Sequence, residues 1–186
     1  MIKMVVFLGN PGNQYKKTRH NIGWMFEKLI RNGSTTSTKF KALYYKDPKD
    51  VIYLLPQTLM NNSGESVVKA MQFFKIKISE ILVIHDDLEM TFGSFKLKDG
   101  GGLAGHNGLR SIETLTGSKN FHRLSLGISR PKHGSVSSYV LGRFTQEEEA
   151  ELELFLTGVI TYFNNYISGN NKYVGKKIAI LQQIKE

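Results

Sequence analysis

The sequence predicts an α/β protein: a single-domain, three-layer sandwich over residues 1–186, with a mixed, mostly buried β-sheet flanked by helices. Three observations predict it. Strand-like and helix-like hydropathy patterns alternate along the chain rather than segregating into halves. Two apolar runs, residues 2–8 and 81–85, are short and unbroken, as in strands covered on both faces. The length, 186 residues, suits one domain, and a core of that size buries about 70% of the unfolded surface without disulfide or metal staples.

The elements follow in order. Residues 2–8 form a strand that Asn10-Pro11-Gly12 ends. From Asn21 to Arg31 the positions Ile22, Met25, Phe26, Leu29 and Ile30 recur at helical spacing, and Asn32-Gly33 stops the helix. Residues 34–38 read as a polar loop, and 39–45 and 51–55 as two strands around Asp47-Pro48-Lys49-Asp50. Asn62 and Glu65 stand at capping-box spacing before a helix to residue 75, which carries Val67, Val68, Met71, Phe73 and Phe74 inward. Residues 81–85 form a second buried strand, and 92–98 an alternating one. A glycine loop at 100–102, a helix over 106–116 ending at Gly117, and an alternating strand over 122–129 follow. Thr145 and Glu148 make another capping box for a helix to about 167, with acidic residues at its positive end. A last helix is expected near 172–184.

Composition excludes several chemistries. With no cysteine there is no disulfide framework, thiolate zinc cage, Fe–S cluster or thiol nucleophile. No apolar run reaches the roughly 20 residues of a membrane span, and the N-terminal run is too short for a secretory signal; a cytoplasmic protein is expected. Net charge is +9, unevenly placed: residues 1–143 carry 21 basic and 10 acidic groups, 144–186 only 4 and 6. The basic body favours a polyanionic partner, and the acidic C-terminal segment is expected to pack beside the ligand groove.

Polar residues collect where ligands of open sheets bind, at the carboxyl ends of the two buried strands. Thr18-Arg19-His20-Asn21 follows the first strand, and His20 is the candidate general base there, or else a packing histidine. His85-Asp86-Asp87 ends the second, so Asp86 could hydrogen-bond one His20 nitrogen, or simply cap the next turn. No histidine at i+4 and no spaced carboxylates accompany these residues, so no metal is expected. Gly-x-Ser-x-Gly is absent, which leaves water as the default nucleophile, with Ser63 and Tyr15 as the alternatives for a covalent route. Asparagines mark three helix starts, Asn10 with Asn21, Asn61 with Asn62, and Asn107; each amide is both donor and acceptor, and each is also a favoured cap. Gly100 to Gly105 fits G-x-G-x-x-G, but no acidic residue stands about 20 positions on, and these glycines better suit close backbone approach to a polyanion.

Seven ordered blocks carry a resemblance: FLGNPG (7–12), Tyr15 with KKTRHNIG (16–23), LMNNSG (59–64), ILVIHDDLE (81–89), AGHNGLRSI (104–112), FHRLSLGISRP (121–131) and YVLGRF (139–144). Over nearly its whole length the chain resembles the bacterial peptidyl-tRNA hydrolases. The resemblance implies a cytoplasmic, monomeric, cofactor-free esterase that cuts the bond between a nascent peptide and the terminal ribose of tRNA, freeing the tRNA for reuse. By position, it implies that His20 activates water, Asp86 holds His20 basic, and Asn10 senses an N-blocked amino acid. Tyr15, Leu59, Asn61 and Asn107 would line the substrate groove, and Lys98, Arg130 and Lys132 would contact phosphates. No membrane and no obligate protein partner are implied. Two positions depart from the family pattern. Leu59 stands where an aromatic residue is usual, so apolar contact replaces stacking, and Ser125 stands where a second basic residue often follows Arg123-Leu124, which removes one phosphate contact. Alternatives of other classes are a non-catalytic RNA-binding module and a nucleotide-binding α/β protein.

Overall fold

A computed structural model describes residues 1–185. The chain runs through β1 (Met4–Phe7), α1 (Ile22–Ile30), β2 (Ser37–Lys39), β3 (Ala42–Lys46), β4 (Ile52–Pro56), α2 (Ser63–Phe74) and β5 (Ile81–Asp87). It continues with β6 (Ser94–Asp99), α3 (Asn107–Thr116), β7 (His122–Gly127), α4 (Val136–Val140), α5 (Gln146–Ile167), β8 (Lys177–Ala179) and α6 (Ile180–Lys185). The strands form one sheet in the order β2-β3-β4-β1-β5-β7-β6-β8. Its centre, β4-β1-β5-β7, is parallel, and antiparallel pairs close both sides.

Side-chain alternation splits the core between the two faces of this sheet. Met4, Val6, Ile81 and Val83 pack with Val67 and Ala70 of α2 and Leu109 and Ile112 of α3. Val5, Phe7, Leu82 and Ile84 pack on the other face with Phe26 of α1 and Phe155, Val159 and Phe163 of α5. The result is the expected three-layer sandwich, with helices covering both sides of β1 and β5.

The sequence-based boundaries fail in four places. Residues 37–39 form a short strand rather than a loop, because Phe40 and Lys41 adopt positive φ and turn the chain into a hairpin with β3. The Asn62 side chain does not cap α2; Glu65, its expected partner, instead pairs with Lys41 at 2.6 Å. Phe73 is 55% exposed, since the buried stripe of α2 runs through Ser63, Ser66, Val67 and Ala70. The segment expected as one last helix supplies β8 and only a short α6, because Lys177–Ala179 pair with β6 at the edge of the sheet and bury Ile178.

Gly23, in the first turn of α1, brings that helix onto the ends of β1 and β5. A Cβ there would lie 2.8 Å from the Leu8 carbonyl oxygen and 3.0 Å from that of Ile84. Both obstacles are backbone and cannot rotate away. Gly23→Ala is therefore expected to lower stability by about 1–3 kcal/mol, the usual cost of overpacking, measured as a reduced urea midpoint; an unchanged midpoint would mean the helix has room to lift.

Candidate active site

A cleft of about 480 Å³ opens at the carboxyl ends of β1 and β5. Its lining comes from the loop and short turns after β1, the turn before α2, the end of β5, the segment leading into α3, Arg130 beyond β7, and α4 with Leu141 just after it. His20 sits on a one-turn 3₁₀ helix, Arg19–Asn21, which neighbouring residues hold from both sides. On one side the Asn21 amide exchanges two 2.9 Å hydrogen bonds with the backbone of Asn10. On the other, buried Arg19 pairs with Glu148 at 2.6 Å, beneath the rings of Tyr139 and Phe144. Glu148 also closes the capping box of α5, so the N-terminus of that helix is tied to the histidine turn.

The His20 ring meets Asp86. His20 Nδ1 lies 2.8 Å and 3.0 Å from the two carboxylate oxygens. Asp86 is 3% exposed, and an ion so buried needs donors on its oxygens. His106 supplies another: its Nε2 lies 2.9 Å from Asp86 Oδ1. The tautomer follows from the opposite ring atom, because His106 Nδ1 accepts the backbone N–H of Gly108 at 3.1 Å, capping α3. The proton therefore sits on Nε2 and is donated to Asp86.

Charge follows from this geometry. Burial alone raises the Asp86 pKa, but the charges and hydrogen bonds of His20 and His106 outweigh it, holding the carboxyl well below its ordinary range. Burial alone lowers the His20 pKa, and the Asp86 charge and hydrogen bond overcome that, so it ends above 6.5. His85 is different: complete burial, the largest influence on it, brings it down to about 3. It is neutral, with Nδ1 donating to the Asp86 carbonyl at 2.7 Å and Nε2 accepting from Ser125 at 3.0 Å.

Asn10 is oriented as tightly as His20. Its Oδ1 accepts the Met60 N–H at 2.7 Å, which leaves the amide NH₂ without a partner among the described residues. Tyr15, Leu59, Asn61 and Asn107 line the same cleft, and Leu59 is 51% exposed. Of the expected phosphate contacts, Arg130 lines the cleft and is paired with Glu89. Lys98 is paired with Asp87 at 3.0 Å, and Lys132 is exposed. Ser125 proves to be no lost phosphate contact, because its position is fully buried against His85. The glycine loop also departs from expectation: the carbonyls of Gly100 and Gly102 are bound from inside by the buried Arg123 guanidinium.

His106 is the principal residue that sequence reasoning missed. Its signal was present, a histidine immediately before a helix start, but its partner lay 20 positions away on β5. His20, Asp86 and His106 bring their ligand atoms within 4.8 Å of one another. A cation there would need a lone pair on His106 Nε2, which would place a proton on Nδ1 against the donors of Gly108 and Leu109. The cluster is built as a hydrogen-bonded triad.

Fold and cleft together define a hydrolytic enzyme on a doubly covered α/β sheet. The family profile for peptidyl-tRNA hydrolase matches residues 4–185. A peptidyl-tRNA hydrolase of Lactobacillus johnsonii is 40% identical over 91% of this chain and 95% of its own; that of Geotalea daltonii is 46% identical over 86% of each. The crystal structure of peptidyl-tRNA hydrolase from Acinetobacter baumannii superposes with a TM-score of 0.84 at 35% identity, covering 97% of this chain and 93% of that one. The chain belongs to the peptidyl-tRNA hydrolase family.

The coupling between carboxylate and imidazole sets a pH dependence. Asp86→Asn removes the charge that raises the His20 pKa and leaves only a weaker, neutral acceptor for its Nδ1–H, so burial, which lowers the pKa, prevails. The acid limb of the pH–rate profile, set by the need for neutral His20, is expected to move to lower pH while the plateau rate drops. A limb that stays in place would show that ring and carboxylate do not communicate.

Proposed function

We propose that this enzyme hydrolyses the ester joining the peptide to the terminal ribose of tRNA, and that His20 activates the water. The observation that carries the reading is the 2.8 Å contact of His20 Nδ1 with Asp86 inside a cleft ringed by asparagine amides. With Nδ1 donating to Asp86, Nε2 is the basic nitrogen. It takes a proton from water as the water oxygen bonds to the ester carbonyl carbon, and Asp86 stabilises the imidazolium. When the carbon–oxygen bond to the ribose breaks, the proton passes from His20 to the departing ribose oxygen. No other group need change its charge.

The amides supply recognition. The free NH₂ of Asn10 reads the acyl group of an N-blocked amino acid, and Asn61 and Asn107 pair with the peptide backbone; neutral amides do this without competing for the proton. Tyr15 and Leu59 offer apolar contact. Lys98, Arg130 and Lys132 take phosphates by exchanging carboxylate partners or water, in keeping with the basic body of residues 1–143. On this reading the enzyme acts as a monomer, with water as its only co-reactant and no cofactor or obligate protein partner. Among the described residues no helix is long and apolar enough to cross a membrane, and a cytoplasmic site of action fits a substrate made in translation.

His20→Ala is expected to cut turnover of N-acetyl-aminoacyl-tRNA by about 10²–10⁴-fold, the usual contribution of a general base, with little change in tRNA affinity. The wild-type enzyme should keep its rate in excess chelator and leave unblocked aminoacyl-tRNA intact. Near-normal turnover by the alanine variant would remove His20 from the mechanism, and loss of activity on chelation would require a metal.

A further inference from the structure

The hydrogen-bond ladder between β1 and β5 stops one rung short of the cleft. Its last rung joins the Leu8 N–H to the Ile84 carbonyl at 3.0 Å. Backbone groups two residues apart face the same neighbouring strand, so the next rung would join the Asn10 N–H to the Asp86 carbonyl. That rung is not made. The Asn10 N–H donates to Asn21 Oδ1 at 2.9 Å, and the Asp86 carbonyl accepts from His85 Nδ1 at 2.7 Å. We infer that His85, anchored by Ser125, is a positioning residue for the hydrolysis: it stands in for the missing rung and holds the Asp86 peptide so that the carboxylate stays aimed at His20. The inference rests on the hydrolase reading above and adds to it a residue that touches neither water nor substrate.

Three observations carry it. First, the broken rung lies where both members of the dyad are set. Asn21, which takes one of the two orphaned groups, follows His20 in the chain, and His85, which takes the other, precedes Asp86. A buried backbone group needs a partner, and here each partner is the side chain next to a reacting one. Second, the His85 ring is fully committed although it lines the cleft. Its Nδ1 donates to the Asp86 carbonyl and its Nε2 accepts from Ser125 Oγ at 3.0 Å, so neither nitrogen is left to take a proton from water. That excludes a second base and leaves orientation. Third, the ring is held from its other sides. Ser125 is fully buried and stands opposite His85 in the β5–β7 register. The ring also packs edge-on against His106 at 5.1 Å between centroids, and His106 is the other imidazole that donates to Asp86. A chain of hydrogen bonds therefore runs from a β7 hydroxyl through a neutral imidazole to the residue whose carboxylate orients the base.

The test uses N-acetyl-aminoacyl-tRNA and three variants of the full chain. His85→Phe keeps a planar ring against His106 and changes no charge beside the titratable groups that face it, Asp86, Asp87 and His106. It removes the donor to Asp86 and the acceptor for Ser125. It should lower kcat by about tenfold with KM within about twofold of wild type, inside the hundredfold that an ångström of misplacement can cost. The acid limb of the pH–rate profile should move to lower pH, because a carboxylate free to turn raises the His20 pKa less. His85→Asn puts an amide N–H where Nδ1 stood and should recover most of the rate and the limb. Ser125→Ala leaves the ring without its anchor, should shift both in the same direction by less, and carries the test if the phenylalanine variant does not fold. Unchanged rate and limb in His85→Phe, or in Ser125→Ala, would overturn the inference. So would a loss in His85→Phe with the limb in place and no recovery by asparagine, which would make His85 a packing residue only. The proton resonance of His20 Nδ1–H reads the same aim without turnover: it should move upfield in His85→Phe and stay near its wild-type position in His85→Asn. If wild-type enzyme leaves the substrate intact, the hydrolase reading fails, and that resonance still decides whether His85 positions Asp86.

Discussion

A carboxylate 3% exposed at the end of a central strand would be costly to ionise if it stood alone, and Asp86 is ionised because two imidazoles donate to it. Much of the architecture around the cleft serves that meeting. β5 lies between β1 and β7, so its last residues emerge inside the molecule rather than at an edge. Gly23 lets α1 approach the strand ends closely enough for the preceding turn to present His20. Asn21 and Arg19 fasten that turn to the β1 loop and to α5. His106 does two jobs with two nitrogens, capping α3 with one and holding Asp86 with the other.

The same separation of roles runs through the asparagines. Asn10 and Asn21 are bound to one another and to the Met60 backbone, so they set geometry and leave a single amide NH₂ without a partner among the described residues. The side chains of those at the starts of α2 and α3 have no hydrogen-bond partner among the described residues. Helix capping is worth about 1 kcal/mol, and a chain that leaves a well-placed Asn62 uncapped keeps its donor and acceptor free. A firmly held imidazole beside amides that keep donor and acceptor free suits the proposed recognition of a peptide backbone whatever its sequence.

Local signals were enough for β1 and β5, read from unbroken apolar runs, for α1, read from helical spacing, and for the long α5, read from its capping box. It was not enough where an element depends on a distant neighbour. The β2–β3 hairpin turns on two residues at positive φ, neither of them glycine. The expected capping box at Asn62 was undone by Lys41, a side chain 24 positions from Glu65. Segment 172–184 reads as helix until β6 offers an open edge. In the site, His20 and Asp86 were legible because each closes a buried strand-and-loop unit. His106, the Arg19–Glu148 pair and the Ser125–His85 contact were not, because residue type and local spacing say nothing about partners 20, 129 or 40 positions away.

The account turns on the state of one ring. Nitrogen-15 spectra of the His20 imidazole, recorded above its pKa in the wild-type enzyme, would show it directly. The structure predicts a neutral ring with the proton on Nδ1, hydrogen-bonded to Asp86, and a bare Nε2. A ring protonated at Nε2, or one exchanging freely between tautomers, would contradict it, because the nitrogen needed to accept a proton from water would then be occupied or unoriented.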